Sequence, residues 1–155
     1  MWAPPTAEKQ GAGLVDTISR EYRSEIMSRV RAKDTKPEMV VRRMLHAAGY
    51  RYRLHAKDLP GKPDLVFPAR RKVVFINGCF WHRHRGCAHA RLPKSRTEFW
   101  TEKLERNRER DDRNVEALRE LGWEVLTVWE CEVRDPATLM PRVVAFLEQQ
   151  TAPPH

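Results

Sequence analysis

Apolar residues recur along the chain at two different spacings, which predict alternating helices and short strands. Helical spacing, with apolar positions three or four residues apart, runs through four segments. The predicted helices cover residues 20 to about 31, 35–49, about 95–121 and 136 to about 150. Short apolar runs bounded by Pro, Gly or charged residues predict extended segments at 50–55, 64–67, 72–77 and 123–129. This order predicts an α/β fold in which helices cover a central mixed sheet.

Two of the predicted helices have clear start signals. Thr35 and Glu38 have the spacing of a capping box. Asp135 and Pro136 are typical of an N-cap and a first helical residue. The apolar face predicted for the helix after Thr35 consists of Met39, Val40, Met44, Leu45 and Ala48. The stripe predicted for the longest helix consists of Trp100, Leu104, Val115, Leu118 and Leu121.

The length of 155 residues fits one domain with a single core. We expect this domain at 20–150, between a flexible arm at 1–19 and a short flexible tail at 151–155. No apolar run approaches the roughly 18 residues of a membrane span, and the first ten residues do not resemble a secretion signal. We therefore expect no membrane partner and a cytoplasmic location.

The net charge of +8 is unevenly distributed along the chain. Residues 20–96 contain 20 basic and 6 acidic side chains, a net charge of +14, whereas residues 97–155 contain 8 and 13, a net charge of −5. A concentrated basic surface attracts the phosphates of a nucleic acid. A membrane surface is the alternative partner, but turns interrupt the basic residues, which do not lie along one helix.

The three cysteines suggest a metal site. Cys79 and Cys87 are close in sequence, and Cys131 follows the fourth predicted strand. The histidines near the first two are His82, His84 and His89. Three thiolates and one imidazole would form a closed, structural zinc site if the third and fourth strands are neighbours. The spacing leaves open which histidine binds, and three inert buried thiols are the alternative.

Two further groups of residues could carry chemistry. Asp64, at the start of a strand in LPGKPDLVF, could hold Mg²⁺ against a phosphate, or could be only a turn residue. Glu38 could be only a helix cap. Phe80 and Trp81 lie in an arginine-rich loop, where they could enter a stack of bases or belong to the core.

Five stretches together identify a family resemblance. They are Ser24 to Met27 with AKDTKPE, then LPGKPDLVF, VVFINGCFWHRH, PKSRTEFWTEKLERNRERD and LGWEVLTVWEC. Over about residues 20–148 the chain resembles the very-short-patch repair endonucleases, the Vsr family. The resemblance implies an α/β, restriction-endonuclease-like core with a structural zinc site. It implies a monomeric, Mg²⁺-dependent hydrolase that nicks double-stranded DNA 5′ to the thymine of a T:G mismatch, the product of 5-methylcytosine deamination. It also implies a bacterial, nucleoid-associated protein with mismatch-repair and methyltransferase partners.

The resemblance also implies roles for individual residues. Asp64 is similar to the metal-binding catalytic aspartate, His82 to the histidine that acts on the attacking water, and Glu38 to the acid that supports the metal-bound water. Ile76 stands where the family has a threonine, so only its backbone carbonyl could bind Mg²⁺. The implied zinc ligands are Cys79, His84, Cys87 and Cys131. The implied DNA-binding residues are Met27, Phe80, Trp81 and Trp100, which wedge into the duplex, and Lys103 and Asn107, which recognise the mismatched pair.

Two other functions remain as alternatives. A zinc-stabilised DNA-binding module without catalysis accounts for the charge and the cysteines, but not for Asp64, His82 and Glu38 together. A restriction endonuclease of the same fold would cut both strands of undamaged DNA. Such an enzyme has no need of aromatic wedge residues.

Overall fold

The computed structural model describes residues 35–150. The elements are α1 (Lys36–Ala47), β1 (Arg53–Leu54), β2 (Leu65–Phe67), β3 (Lys72–Asn77), α2 (Thr97–Glu120), β4 (Glu124–Trp129), α3 (Glu130–Val133) and α4 (Pro136–Glu148). Short 3₁₀ turns cover Pro68–Arg70 and Ala88–Ala90. The expected arm at 1–19, the predicted helix at 20–31 with Met27, and the expected tail at 151–155 lie outside the described residues.

The four strands form one mixed sheet, as predicted, and their order in it is β1-β2-β3-β4. Strand β2 is antiparallel to both β1 and β3. Strand β3 pairs in parallel with β4 over six residues, from Lys72 opposite Glu124 to Asn77 opposite Trp129. Because β3 and β4 run in the same direction, their carboxyl ends meet at one edge of the sheet. The loop after β3 and the short helix after β4 therefore begin side by side.

Strands β1 and β4 begin later than predicted because the preceding helices use the residues before them. The N–H of Tyr50 donates to the Leu45 carbonyl and closes α1, so pairing starts only at Arg53. In the same way the N–H of Trp123 donates to the Leu118 carbonyl and closes α2. A carbonyl at the end of a helix needs a donor, and the chain leaving the helix supplies it.

Helix α1 packs on the sheet through a slightly different face from the predicted one. Its buried residues are Glu38, Val41 and Leu45, whereas Ala48 is exposed. The Thr35 side chain caps the helix by accepting from the Glu38 N–H, as the sequence predicts. Val40 and Met44 of the predicted face also pack against the core, and the acidic Glu38 joins them on the buried side of the helix.

The remaining helices confirm most of the predicted boundaries. Asp135 caps α4 by accepting from the Thr138 N–H. Helix α2 buries Trp100, Leu104 and Leu118, but Leu121 lies beyond its end and is 54% exposed. The four-residue helix α3 was not predicted, because one helical turn is too short for a periodic signal.

Helix α4 is attached to the sheet where β3 begins, at the end away from the edge where β3 and β4 finish. Lys72 is 1% exposed, and its Nζ donates to the carbonyls of Phe146 and Gln149. Arg70 donates to the Leu147 carbonyl at 2.9 Å. These donors satisfy carbonyls at the end of the helix. Between residues 35 and 150 no helix combines the length and apolar character that crossing a membrane requires.

Candidate active site and metal centre

A cleft of about 870 Å³ opens at the sheet edge where β3 and β4 end. Asp64, Ile76, His82 and Asp111 all line it. Its basic lining residues are Lys57, Lys62, Arg83, Arg85, Arg108 and Arg110. A groove with this many cations attracts a phosphate backbone, and it brings the acidic and imidazole groups close to that backbone.

Asp64 immediately precedes β2, and its carboxylate contacts the neighbouring strand β3. Its Oδ2 accepts from the Ile76 N–H at 2.7 Å. Burial, together with the nearby Glu38, raises the pKa of Asp64 to about 8, while the Ile76 N–H and Arg42 act in the opposite direction. A buried carboxylate beside a second carboxylate is a favourable ligand for a cation. Ile76 thus contacts Asp64 through its amide, whereas the sequence suggested a role for its carbonyl.

His82 forms a pair with Asp111 across the cleft. The Nδ1 atom of His82 lies 2.5 Å from Oδ2 of Asp111, and both side chains are about one-quarter exposed. The loop after β3 positions the imidazole, since the His82 N–H donates to the Gly78 carbonyl. A carboxylate that accepts from Nδ1 fixes the ring and leaves Nε2 to take or give a proton.

A second cluster lies where α1 meets the β1–β2 pair. Oε2 of Glu38 lies 3.5 Å from Nε2 of His55 and 2.5 Å from Nη2 of Arg42. The ligand atoms of Glu38, His55 and Asp64 all lie within 4.8 Å of one another. Glu38 is 2% exposed. The structure therefore brings Glu38 to Asp64, as the resemblance implies, and adds Arg42 and His55.

The three cysteines and one histidine meet at the same edge of the sheet. The ligand atoms of Cys79, His84, Cys87 and Cys131 lie within 4.8 Å of one another. Nδ1 of His84 lies 3.5 Å from Sγ of Cys131. The His84 ring stacks on Trp129 with centroids 4.2 Å apart and planes 10° apart. His84 therefore belongs to this cluster, and His82 belongs to the cleft.

Two thiols of this cluster, those of Cys79 and Cys131, have a raised pKa. Burial raises the pKa of Cys79 to about 12, helped by the neighbouring thiols, while a backbone hydrogen bond from Cys131 acts in the opposite direction. Burial also raises the pKa of Cys131. Three close thiols and an imidazole fit a tetrahedral ion such as Zn²⁺, whose charge would favour the thiolates.

The aromatic residues implied in DNA binding form a cluster with Leu104 of α2. Phe80 is 4% exposed and Trp100 is 6% exposed, with ring centroids 5.5 Å apart. Trp81 packs against both rings but is only half-buried. In this arrangement Trp81 is the ring best placed to reach a base, because the other two would first have to leave the core.

The two polar residues implied in recognition of the base pair lie on α2 near this cluster. Asn107 donates from Nδ2 to the Trp81 carbonyl at 3.2 Å, which ties the helix to the aromatic loop. Lys103 lies one turn before Asn107 and is half-buried. The structure thus places Asn107 next to Trp81, with Lys103 one turn away on the same helix.

Sequence reasoning missed Asp111, Arg42 and His55. A signal for Asp111 was present, because it lies seven residues from both Leu104 and Leu118 and so interrupts the buried stripe of α2 with a charge. No such signal marked His55. It becomes a neighbour of Asp64 only through strand register, in which the His55 N–H donates to the Asp64 carbonyl at 3.1 Å.

A paired histidine and carboxylate facing a buried aspartate in a basic cleft is an arrangement suited to phosphodiester hydrolysis. Known proteins point in the same direction. The family described as DNA mismatch endonuclease Vsr matches residues 15–89. The chain is 51% identical over 135 residues to the Type II nicking enzyme V.XorIIP of Xanthomonas oryzae pv. oryzae, covering 87% of this chain and 98% of the relative.

Two further relatives have similar coverage. The Type II nicking enzyme V.NmeAIP of Neisseria meningitidis is 42% identical, over 84% of this chain and 92% of its own. The DNA mismatch endonuclease Vsr of Escherichia coli K12 is 42% identical, over 78% of this chain and 77% of its own. The chain belongs to the Vsr family of DNA mismatch endonucleases, which confirms the resemblance found in the sequence. It is accordingly a DNA endonuclease.

Proposed function

We propose that this endonuclease nicks one strand of duplex DNA 5′ to the thymine of a T:G mismatch, in a reaction that requires Mg²⁺. The carrying observation is that Asp64 and the His82–Asp111 pair line one basic cleft. Two relatives are named as nicking enzymes and one as a mismatch endonuclease, which supports single-strand cleavage. The protein would act in very-short-patch repair after deamination of 5-methylcytosine.

The division of labour follows from the chemistry of the side chains. The Asp64 carboxylate and the Ile76 carbonyl are oxygen donors of the kind that Mg²⁺ prefers, and Glu38 adds a further carboxylate nearby. When bound, Mg²⁺ would supply charge that polarises the scissile phosphate. Nε2 of His82 would take the proton of the attacking water, with Asp111 holding the ring in position.

The Cys79, His84, Cys87 and Cys131 cluster would hold a structural Zn²⁺. Four protein ligands complete a tetrahedron and leave no position for substrate. The ion would join the loop after β3 to α3, and so would fix the loop that carries His82. Catalysis would thus depend on zinc indirectly, through the position of the imidazole.

Selectivity for the mismatch would come from the aromatic loop. A T:G wobble pair is easier to unstack than a Watson–Crick pair, so insertion of an aromatic ring costs less there. Trp81, supported by Phe80 and Trp100, would enter beside the mismatch, with Lys103 and Asn107 contacting the pair. Met27 would approach from the segment before residue 35. We further propose that the core is restriction-endonuclease-like and that the enzyme acts as a monomer. Its partners would be mismatch-repair proteins and a methyltransferase, and it would be located near the bacterial nucleoid.

The proposal is tested with end-labelled duplexes, either matched or carrying one T:G pair, incubated with and without Mg²⁺. We expect a single nick 5′ to the thymine, only in the mismatched duplex and only with Mg²⁺. Cleavage of both strands of matched DNA would instead identify a restriction enzyme. Binding without cleavage under all conditions would identify a DNA-binding module and overturn the proposal.

A further inference from the structure

The strand register places a histidine next to the aspartate of the cleft. His55 follows β1, and its N–H donates to the Asp64 carbonyl at 3.1 Å. Its side chain meets Glu38 of α1, with Nε2 of His55 3.5 Å from Oε2 of Glu38. The sheet and the helix therefore contribute one nitrogen and two carboxylate ligands to the same small volume.

The spacing of these ligand atoms fits a single cation. An ion with bonds of about 2.1 Å keeps neighbouring ligands about 3.0 Å apart and opposite ligands about 4.2 Å apart in octahedral geometry. The observed separation of 3.5 Å between Glu38 and His55 lies within this range, and all three ligand atoms lie within 4.8 Å. The limit of 4.8 Å exceeds the separation of opposite ligands, so binding one ion would draw these side chains closer together.

The side chain of His55 contacts Arg42 as well as Glu38. Nη2 of Arg42 lies 2.8 Å from Nε2 of His55. A guanidinium can only donate, so this contact is a hydrogen bond in the tautomer whose Nε2 carries the lone pair. A metal ligand requires that same lone pair.

Arg42 itself occupies the position of a cation in this cluster. One guanidinium nitrogen, Nη2, bridges Glu38 at 2.5 Å and His55 at 2.8 Å. A buried carboxylate such as Glu38 requires a positive partner, and a metal ion would serve in place of the guanidinium. Arginine and metal would therefore compete for the same two ligand atoms.

We propose that Glu38, His55 and Asp64 bind a divalent cation through two carboxylates and one imidazole, in competition with Arg42. This inference rests on the proposed function, because Asp64 is shared with the Mg²⁺ site. A nitrogen ligand suits Mn²⁺ and similar transition ions better than Mg²⁺, which prefers oxygen throughout. The cluster would therefore widen the choice of metal toward ions that accept imidazole.

Pulsed electron paramagnetic resonance of Mn²⁺ tests the nitrogen ligand directly, because a coordinated ¹⁴N modulates the spin echo. Protein whose thiol cluster is saturated with Zn²⁺ is titrated with Mn²⁺ alone. We expect nitrogen coupling in the wild type and in His82→Ala, and its loss in His55→Gln. His46→Gln, at an exposed position of α1, is the matched control and should keep the signal. Absence of coupling in the wild type, or its persistence in His55→Gln, would overturn the inference.

Two more variants separate the ligand role from a purely structural one. His55→Asp keeps a ligand oxygen, so it should bind Mn²⁺ while losing the nitrogen coupling. Arg42→Gln removes the competing cation and should tighten Mn²⁺ binding roughly tenfold or more, within the range for groups around a metal site. Weaker Mn²⁺ binding in Arg42→Gln would contradict the competition.

Failure of the proposed cation site can be distinguished from failure of the proposed nicking function. Nicking of a T:G duplex in Mg²⁺ is measured on the same samples. Normal nicking with no nitrogen coupling would reject only the cation site. Nitrogen coupling without any nicking would reject the proposed function and leave the cation site standing.

Discussion

Asp111 Oδ2 accepts a hydrogen bond from Nδ1 of His82 at 2.5 Å, across a sequence separation of 29 residues. The pair joins the loop after β3 to the middle of α2. The carboxylate holds one tautomer of the ring and stabilises it when it gains a proton. The imidazole therefore depends on α2 for its orientation as well as on its own loop.

Asp111→Asn should lower the rate of nicking while leaving mismatch binding intact. An amide that donates to Nδ1 would hold the wrong tautomer of His82. We expect a loss of roughly 10²- to 10⁴-fold in single-turnover rate, the contribution typical of a positioned base. Glu109→Gln, at an exposed position of the same helix and outside the lining of the cleft, is the matched control and should nick normally. Equal losses in the two variants would point to a general effect of charge.

Asp64→Asn should abolish nicking and yet stabilise the protein in metal-free buffer. The pKa of Asp64 is raised to about 8 in the fold, so the native state holds a proton that the unfolded state releases above its ordinary value of 3.8. Protonation of Asp64 therefore contributes stability that is lost as the pH rises from about 4 to about 8, and asparagine avoids this loss.

Thermal melting of the two proteins checks this sign. The melting temperature of Asp64→Asn should exceed that of the wild type by several degrees at about pH 9, and should match it at about pH 4. Excess Mg²⁺ should raise the melting temperature of the wild type much more than that of the variant. A difference in melting temperature between the two proteins that stays constant from about pH 4 to about pH 9 would contradict the raised pKa of Asp64.

Alanine at His82 and at His84 should produce different defects. His84→Ala removes a ligand of the thiol cluster, so zinc content and melting temperature should fall together, as they should in Cys131→Ala. His82→Ala should keep its zinc and its stability but lose nicking. Metal analysis of the purified proteins, combined with the nicking assay, separates the two. Loss of zinc in His82→Ala would reverse the assignment.

The aromatic loop should be probed at Trp81 rather than at Phe80. Phe80 is 4% exposed and packs on Trp100, so Phe80→Ala should cost about 3–5 kcal/mol of stability. Trp81 is half-buried, and Trp81→Ala should largely keep the fold. If Trp81 stacks on a base, the preference for a T:G duplex over a matched one should fall roughly five- to 100-fold at fixed salt. An unchanged preference would mean that the ring serves only the core.

The sequence predicted the elements that have a strong periodic pattern or a cap. Thr35 and Asp135 cap their helices as expected, and the apolar run of β3 forms a central strand. The cysteine count suggested that Cys131 would join Cys79 and Cys87, and the parallel β3–β4 pair brings the three thiols together. These features depend on local chemistry or on a small number of matching residues.

The remaining features depend on register and on rotation of helices, which periodicity does not determine. Helix α1 buries Glu38 because the carboxylate finds Arg42 and His55, and that partnership exists only after β1 pairs with β2. Strand β1 is short because Tyr50 closes α1. Tertiary contacts therefore decide which face of α1 is buried and where β1 begins, and the local sequence does not.

The attachment of Lys72 to the end of α4 has a practical consequence for handling the protein. Lys72 and Asn77 are the two ends of β3, about 17 Å apart at the rise of an extended strand. Gln149, held by Lys72, therefore lies at the far end of the sheet from the cleft. A fluorophore or a surface linker joined just after residue 150 would leave that cleft open to a long duplex, which suits single-molecule observation of nicking.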